Sequence, residues 1–242
     1  MMGRGLVSTR KNTFGQPIGE TLVGWAPRPR PARRTLLGRY CRIEPVSIRE
    51  HAEDLYTAYV EAADARDWTY LPAQLPENLE KFSEYLAELA RSDDPLHFAI
   101  VDLATGEAVG TAALMRIDAA HGVIEVGHIN FSRRMKRSRV GTEAIFILMR
   151  LVFDDLGYRR FEWKCDSLNA ASRTAAERLG FSFEGIFRWA TIYKGRSRDT
   201  AWYSIIGAEW PPIRAAFEGW LSPDNFDSQG AQKKSLRSLR GG

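Results

Sequence analysis

The stretch Arg137-Ser138-Arg139-Val140-Gly141-Thr142-Glu143-Ala144 decides the fold of this 242-residue chain. It follows a strand-like segment, Val123–Phe131, and it opens an amphipathic helix predicted from Thr142 to about Leu156. The first amides of a helix have no partner inside it, and the helix dipole places partial positive charge there. Together with the two arginines of the stretch, this loop predicts a site for a ligand that carries several phosphates.

The basic charge of the chain is concentrated at its two ends. The net charge is +4, but residues 1–34 hold seven Arg and Lys against one Glu, and residues 223–242 hold four against two Asp. The middle is therefore acidic, which argues against a nucleic-acid partner, because such a protein needs a basic face on the fold itself. We expect a basic, Pro/Gly-rich and partly disordered tail (1–34), one folded domain (35–222) and a basic, disordered C-terminal tail (223–242).

Composition excludes several classes of protein. No apolar run reaches the ~18 residues of a transmembrane helix, and the N-terminus lacks the apolar core of a secretion signal. Cys41 and Cys165 stand alone in strand-like stretches, as free thiols do in a reducing cytoplasm. The four histidines are scattered without metal-ligand spacing. We therefore expect a cytoplasmic protein with no metal site and no membrane partner.

The order of predicted elements indicates the fold class. The strand–helix–strand run from Val123 to Asp166 predicts a parallel, right-handed crossover. The segments 108–131 and 181–205 instead read as hairpins, which are antiparallel. One α/β (α+β) domain with a mixed sheet follows from this combination.

Five short motifs occur in order along this domain. They are Ile124-Glu125-Val126-Gly127, Gly141-Thr142-Glu143-Ala144, Asn169-Ala170-Ala171-Ser172, Glu177-Arg178-Leu179-Gly180-Phe181 and Arg198-Asp199-Thr200. With these motifs the chain resembles the GNAT superfamily of N-acetyltransferases, and within it the RimJ/RimL-like branch, from about Arg39 to Trp210. The resemblance implies a mixed, mostly antiparallel central sheet, with a parallel strand pair splayed at the acetyl-CoA site and helices on both faces.

The resemblance implies acetyl-CoA as the acetyl donor, with its pyrophosphate on the loop that starts the third helix and no metal involved. The implied cofactor-binding residues are Ile129, Phe131, Lys136, Arg137, Ser138, Arg139, Val140, Gly141, Thr142 and Asn169. The loop departs from the family pattern at Arg139, which replaces a glycine. A non-glycine residue would be strained there if the position needs a positive φ.

The resemblance also implies Glu125 as a general base, often acting through water, and Ser172 as an acid toward the leaving thiolate. Both residues have structural alternatives, since Glu125 could pair with a neighbouring strand and Ser172 could be an ordinary first-turn serine. Asn169 is a favoured helix N-cap as well as a candidate contact to the pantetheine arm. A backbone amide of the strand ending at Phe131 is a candidate oxyanion donor, particularly if that strand carries a bulge.

The acceptor is expected to be a primary amine, either a protein N-terminus or a small molecule, and the protein a monomer or homodimer. Trp68 and Tyr70 are either core aromatics or walls of the acceptor pocket. Two alternatives to an enzyme stay open at this point. The chain could be a non-catalytic acyl-CoA-binding module, or a ribosome- or RNA-associated module that uses its basic tails as electrostatic anchors.

Overall fold

The computed structural model of the chain describes residues 10–241. The predicted disorder of the N-terminal tail therefore lies partly outside the described residues, in segment 1–9. The described part opens with a small exposed hairpin formed by β1 (Arg10–Lys11) and β2 (Pro17–Ile18). The main domain follows it.

An eight-stranded sheet forms the middle of the domain. Its strands are β3 (Leu36–Leu37), β4 (Cys41–Pro45), β5 (Leu96–Asp102), β6 (Ala108–Asp118), β7 (Val123–Phe131), β8 (Arg160–Asp166), β9 (Ser182–Tyr193) and β10 (Arg196–Ile206). They lie in the order β3-β4-β5-β6-β7-β8-β10-β9, and only the β7–β8 pair is parallel among these strands. The predicted mixed, mostly antiparallel sheet is confirmed.

Helices cover both faces of the sheet, as predicted. They are α1 (Ile48–Val60), α2 (Leu79–Arg91), α3 (Arg139–Arg150), α4 (Ala170–Leu179), α5 (Trp210–Leu221) and α6 (Leu236–Leu239). The side chains of α1 and α2 form one buried cluster with Ala99 and Val101 of β5. Those of α3, α4 and α5 form a larger cluster with Phe98, Val126 and Trp163 on the other face. Successive side chains of a strand point to opposite faces of the sheet, so neighbouring residues of one strand belong to different clusters.

The third helix differs in its limits from the prediction of Thr142 to Leu156. It begins at Arg139 because the side chain of Ser138 caps it, and its α-helical part ends at Arg150. A π-helical turn, Leu151–Asp155, continues it. Gly157 then adopts a φ of +69°, the left-handed conformation that commonly closes a helix.

The parallel pair separates halfway along its length. Residues Val123–Val126 of β7 pair with Arg160–Trp163 of β8, and no pairing is found beyond Val126 in these two described strands. Just after this point β7 carries a bulge, because Gly127 pairs with Ala113 of β6 while Asn130, three residues on, pairs with Thr111. An opening between two neighbouring strands results.

The segment before β3 is attached to the domain as an extended arm. The indole nitrogen of Trp25 donates to the carbonyl of Ala120 over 2.9 Å, and the amide of Arg28 donates to Ala119 over 2.9 Å. Further along, Arg33 forms an ion pair with Asp93 at 2.9 Å. Four arginines of this arm therefore contact the fold instead of projecting freely; they are Arg28, Arg30, Arg33 and Arg34.

The C-terminal segment also differs from the predicted disordered tail, because residues 223–241 fold back onto the domain. Leu236 is 1% exposed within the main core, and the ring of Phe226 packs edge-on against Trp220 with centroids 5.2 Å apart. The buried amide of Asn225 donates to the carbonyls of Trp220 and Lys234 and accepts the amide of Lys234. Two apolar side chains and one satisfied amide give this polar segment enough burial to pack.

Candidate active site

The phosphate loop is built as a helix N-terminus with an internal cap. The hydroxyl of Ser138 accepts the amide of Gly141 over 3.1 Å and donates to the carbonyl of Met135 over 2.6 Å. A Cβ atom at Gly141 would lie only 2.9 Å from that same carbonyl, so the position requires glycine. The amides of Arg139 and Val140 precede the first intrahelical hydrogen bond and have no partner in α3.

A positive φ occurs in this loop at Arg137 and not at Arg139. Arg137 has a φ of +59°, whereas Arg139 is the first residue of α3 and has ordinary helical backbone. The replacement of the family's glycine by Arg139 therefore causes no strain. Left-handed backbone at a residue other than glycine is uncommon and marks Arg137 as a position held by its surroundings.

The basic side chains of the loop have separate surroundings. The guanidinium of Arg139 lies between the rings of Tyr40 and Phe226, at 4.9 and 4.7 Å from their centroids. The ammonium of Lys136 pairs with Asp67 at 2.5 Å. Arg137, in contrast, forms no hydrogen bond or ion pair with any residue from 10 to 241, which leaves its charge available to a ligand.

Glu143 has a structural role at the start of α3. Its buried carboxylate accepts three backbone amides of the turn between β3 and β4, those of Arg39, Tyr40 and Cys41, over 2.8, 2.6 and 2.8 Å. A Cβ atom at Gly38 would lie 2.5 Å from the same carboxylate. These contacts fix Glu143 to the edge of the sheet.

A cavity of about 710 Å³ lies where β7 and β8 separate. Its walls come from both faces of the sheet. On the α3 and α4 side they include Trp163, Cys165, Asn169 and Ser172. On the α1 and α2 side they include Tyr70, Arg116, Glu125, Lys164 and Trp202. Glu125 and Lys164 belong to this second side because Val126 and Trp163, their neighbours along the strands, point into the α3 core. The cavity therefore crosses the sheet.

The predicted base Glu125 is buried among charges at the centre of the cavity. Its carboxylate is 3.1 Å from Nε of Arg116 and 3.0 Å from Nζ of Lys164. The same ammonium is 2.7 Å from Glu162 and 3.7 Å above the ring of Trp202. Burial raises the pKa of the Glu125 carboxyl, while the two cations oppose the shift. The structural alternative for Glu125, a pairing with a neighbouring strand, is thus found in the structure, because Lys164 belongs to β8.

The predicted acid Ser172 and Asn169 meet at the start of α4. Asn169 caps this helix, since its Oδ1 accepts the amide of Ser172 over 3.1 Å. The hydroxyl oxygen of Ser172 accepts the indole N–H of Trp163 over 2.9 Å, so the hydroxyl proton is left to donate. Burial raises the pKa of the neighbouring Cys165 thiol, which keeps it protonated.

The two predicted strand residues lie beyond the point where β8 leaves β7. Ile129 lines the cavity, and the ring of Phe131 lies 3.4 Å from the Cβ position of Gly141. The bulge that the oxyanion hypothesis called for is present, centred on His128. Of the two ambiguous aromatics, Trp68 is 3% exposed in the α1–α2 core, whereas Tyr70 lines the cavity.

The tip of the β9–β10 hairpin is hydrogen-bonded to the segment that precedes Tyr70. The ammonium of Lys194 donates to the carbonyl of Trp68 over 2.7 Å, and Arg196 donates to Thr69 over 2.8 Å. On the opposite side, the hydroxyl of Tyr70 donates to the carbonyl of Leu168 over 3.3 Å. The sequence did not predict these contacts or the roles of Arg116, His128 and Lys164, because charged residues on alternate strand positions have no local signature.

Comparison with known proteins identifies the family. Residues 42–182 match the family model described as an acetyltransferase (GNAT) domain. A crystal structure of a GCN5-related N-acetyltransferase from Brucella melitensis is 47% identical, with a TM-score of 0.88, over 90% of this chain and 99% of that chain. A GNAT-family structure from Chromobacterium violaceum is 35% identical, with a TM-score of 0.74, over 81% and 97%.

A curated Bacillus licheniformis protein, the uncharacterized N-acetyltransferase p20, is 27% identical over 127 residues, 52% of this chain and 71% of that protein. The chain belongs to the GNAT family of acetyltransferases. It is an acetyltransferase that takes its acyl group from acetyl-CoA, as the enzymes of this family do. Within segment 10–241, no group of three or more His, Cys, Asp or Glu side chains could hold a metal ion. The helices of that same segment are all too short or too polar to cross a membrane.

Proposed function

We propose that this acetyltransferase moves the acetyl group directly to a primary amine and that it belongs to the RimJ/RimL-like branch. The observation that carries the proposal is the cavity at the separation of β7 and β8, because it joins the phosphate-loop side of the sheet to the opposite side. A donor bound on one face and an acceptor entering from the other would meet there. The buried, protonated thiol of Cys165 argues against a covalent acyl-enzyme.

The loop from Lys136 to Thr142 fits the phosphates of the donor. Its free amides, the close approach allowed by Gly141 and the unpaired Arg137 all favour an anion there. We assign the main-chain contacts to Arg139 and Val140, whose amides are free, the close approach of the ligand to Gly141, and the side-chain contact to Arg137. The donor carries an activated thioester, and the protein holds this thioester in position for attack by the amine.

The exposed edge of β7 fits the rest of the donor. Beyond Val126 the amides that would face β8 have no strand partner, so Ile129 and Phe131 can bind the pantetheine arm through their main chain. Asn169 faces the same opening from the start of α4. The bulge turns one β7 amide away from β6 and makes it the oxyanion donor in this proposal.

Ser172 is the proposed acid. Its hydroxyl lies on the α4 side of the cavity, and because the hydroxyl oxygen accepts the indole N–H of Trp163, the hydroxyl acts as a donor to other groups. A coenzyme thiol is a moderate base near pKa ~8.5, so a hydroxyl that relays a proton from solvent suffices. Glu125, the base predicted from the sequence, lies on the acceptor side, where two cations engage its carboxylate.

An acceptor panel tests the proposal. Coenzyme thiol release from acetyl-CoA is measured with a peptide that has a free N-terminus, the same peptide with a blocked N-terminus, and small amines such as a polyamine and an amino sugar. We expect release with at least one primary amine and a product heavier by one acetyl group. Acetyl-CoA binding by calorimetry without transfer to any amine would instead support a non-catalytic acyl-CoA-binding module.

A further inference from the structure

His128 occupies a strained position in the middle of the bulge. Its φ is +47°, in the left-handed region, while the residues on both sides of it continue β7. Two residue steps along β6 face three steps along β7 here, since Thr111 pairs with Asn130 and Ala113 with Gly127. Strained backbone of this kind persists where the surrounding structure enforces it, often at functional sites.

The bulge directs His128 to the reaction end of the cavity. The residue lines the cavity together with Gly127 and Ile129, at the point where β8 leaves β7. Its ring packs on that of His97, with centroids 5.2 Å apart, and His97 is only 2% exposed. A buried neighbour on one side and the cavity on the other fix the orientation of the His128 imidazole.

The imidazole of His128 faces the cavity, whereas the carboxylate of Glu125 is held by two cations. Arg116 and Lys164 both contact Oε2 of Glu125, at 3.1 and 3.0 Å. The imidazole of His128 makes no hydrogen bond with any of the described residues. An unprotonated imidazole with an open nitrogen is the better acceptor of the two.

We propose that His128 is the general base that removes the proton from the acceptor amine, with its imidazole positioned by His97. This assignment rests on the proposed amine acetylation. The amine nitrogen forms a bond to the acetyl carbon as the carbon–sulfur bond breaks. The amine proton passes to the imidazole and then to solvent, and the departing thiolate takes a proton from the hydroxyl of Ser172, which solvent restores.

The charges around His128 keep it neutral near pH 7. Burial lowers the pKa of His128, and the charge of Arg116 lowers it further. Burial, followed by His128 and Arg33, lowers the pKa of His97 to about 3, so His97 adds no charge. On the sheet, Glu125 and Lys164 form their own ion pair beside it. Across the cavity lie Asp67, Tyr70, Asp166, Arg188, Tyr193 and Arg198.

Two substitutions remove the base and suit the backbone. His128→Asn and His128→Gly both tolerate a positive φ, so the fold and the affinity for CoA should be retained, as calorimetry would show. We expect kcat to fall roughly 10²–10⁴-fold, and the loss of activity on acidification to disappear from the pH profile of kcat/KM. His121→Gln, at an exposed histidine of the β6–β7 turn, is the matched control and should behave like the wild type.

Other results would contradict the assignment of His128 as the base. If wild-type enzyme acetylates an amine and His128→Asn keeps both its rate and its acidic limb, His128 is not the base. If the acidic limb disappears in Glu125→Gln and not in His128→Asn, the base is Glu125. Absence of transfer by the wild type to every amine would refute the proposed function itself, which is a different outcome.

Discussion

The guanidinium of Arg178 donates a hydrogen bond to the hydroxyl of Thr142 over 3.2 Å and thereby links the end of α4 to the first turn of α3. Arg178 forms no ion pair within residues 10–241, and its other contact is with the ring of Trp220 at 5.1 Å. Burial lowers the pKa of Arg178, and the nearby Arg240 lowers it further. The guanidinium of Arg178 thus lies beside the phosphate-binding end of α3 without an acidic partner in the described part of the chain.

Replacing Arg178 should weaken donor binding. Arg178→Gln keeps a hydrogen-bond donor for Thr142 but removes the charge, and a charge-assisted contact contributes about 1.5–3 kcal/mol. We expect the dissociation constant for CoA, measured by calorimetry, to rise roughly tenfold or more. Arg214→Gln, which removes an exposed arginine of α5 that pairs with Asp154 and Glu218, is the control. An unchanged CoA affinity in Arg178→Gln would show that Arg178 only joins the two helices.

The two loop arginines should have different effects. Arg137 is unpaired, so Arg137→Ala should weaken CoA binding by about 1.5–3 kcal/mol and leave the melting temperature nearly unchanged. Arg139 lies between Tyr40 and Phe226, so Arg139→Ala should lower the melting temperature, since each cation–π contact contributes roughly 0.5–1 kcal/mol. Calorimetric titration and thermal unfolding of both variants separate the roles. Equal losses of affinity in both variants would show that the side chain of Arg139 also contacts the donor.

Ser172 should affect turnover more than donor binding. Ser172→Ala removes the proposed acid, and a positioned acid contributes roughly 10²–10⁴-fold to kcat. It also leaves the indole N–H of Trp163 without its acceptor, so Ser172→Cys, which keeps a donor at this position, is the matched variant. We expect kcat to fall in Ser172→Ala with CoA affinity retained, and to recover in part in Ser172→Cys. Wild-type turnover in Ser172→Ala would contradict this role and would indicate that water protonates the leaving thiolate.

The C-terminal segment should contribute to stability. A chain that ends at Ser222 loses the burial of Leu236, worth about 1.5–3 kcal/mol for a side chain of this kind, and one of the two rings that enclose Arg139. We expect a lower melting temperature and a smaller free energy of unfolding in urea. Leu236→Ala tests the same contact without truncation, and Leu239→Ala, at a partly buried position, is the milder comparison. An unchanged melting temperature in both would mean that the segment is not held in solution.

The local parts of the site could be predicted from the sequence. The helix start at residues 137–144 and the cap at Asn169 depend on neighbouring residues alone, and the structure has both. The order of strands and helices follows from the same kind of pattern. The residues of the site whose positions depend on the register of the strands were not predicted. Arg116, His128 and Lys164 come together because the β6–β7 pairing has two bulges, one at His128 and one between Met115 and Asp118, and because β7 pairs in parallel with β8.

The terminal segments show the same limit of sequence reasoning. Composition predicted a disordered C-terminal tail, but Phe226 and Leu236 are enough to attach it when the domain offers Trp220, Tyr40 and the core beneath α5. The docking of Trp25 depends on a carbonyl at Ala120, almost a hundred residues away. Contacts between residues so far apart in the sequence produce no periodic pattern from which they could be predicted.

The carboxylate of Glu143 accepts hydrogen bonds from three backbone amides, and these bonds connect the donor site to the far edge of the sheet. Glu143 directly follows the first turn of α3, which the phosphate loop opens, so a ligand that immobilises this turn also holds the carboxylate in place. Deuterium uptake at Arg39, Tyr40 and Cys41 should therefore slow when CoA is added, although these residues belong to the β3–β4 turn. Occupancy of the coenzyme site can thus be followed from protons that never touch the coenzyme.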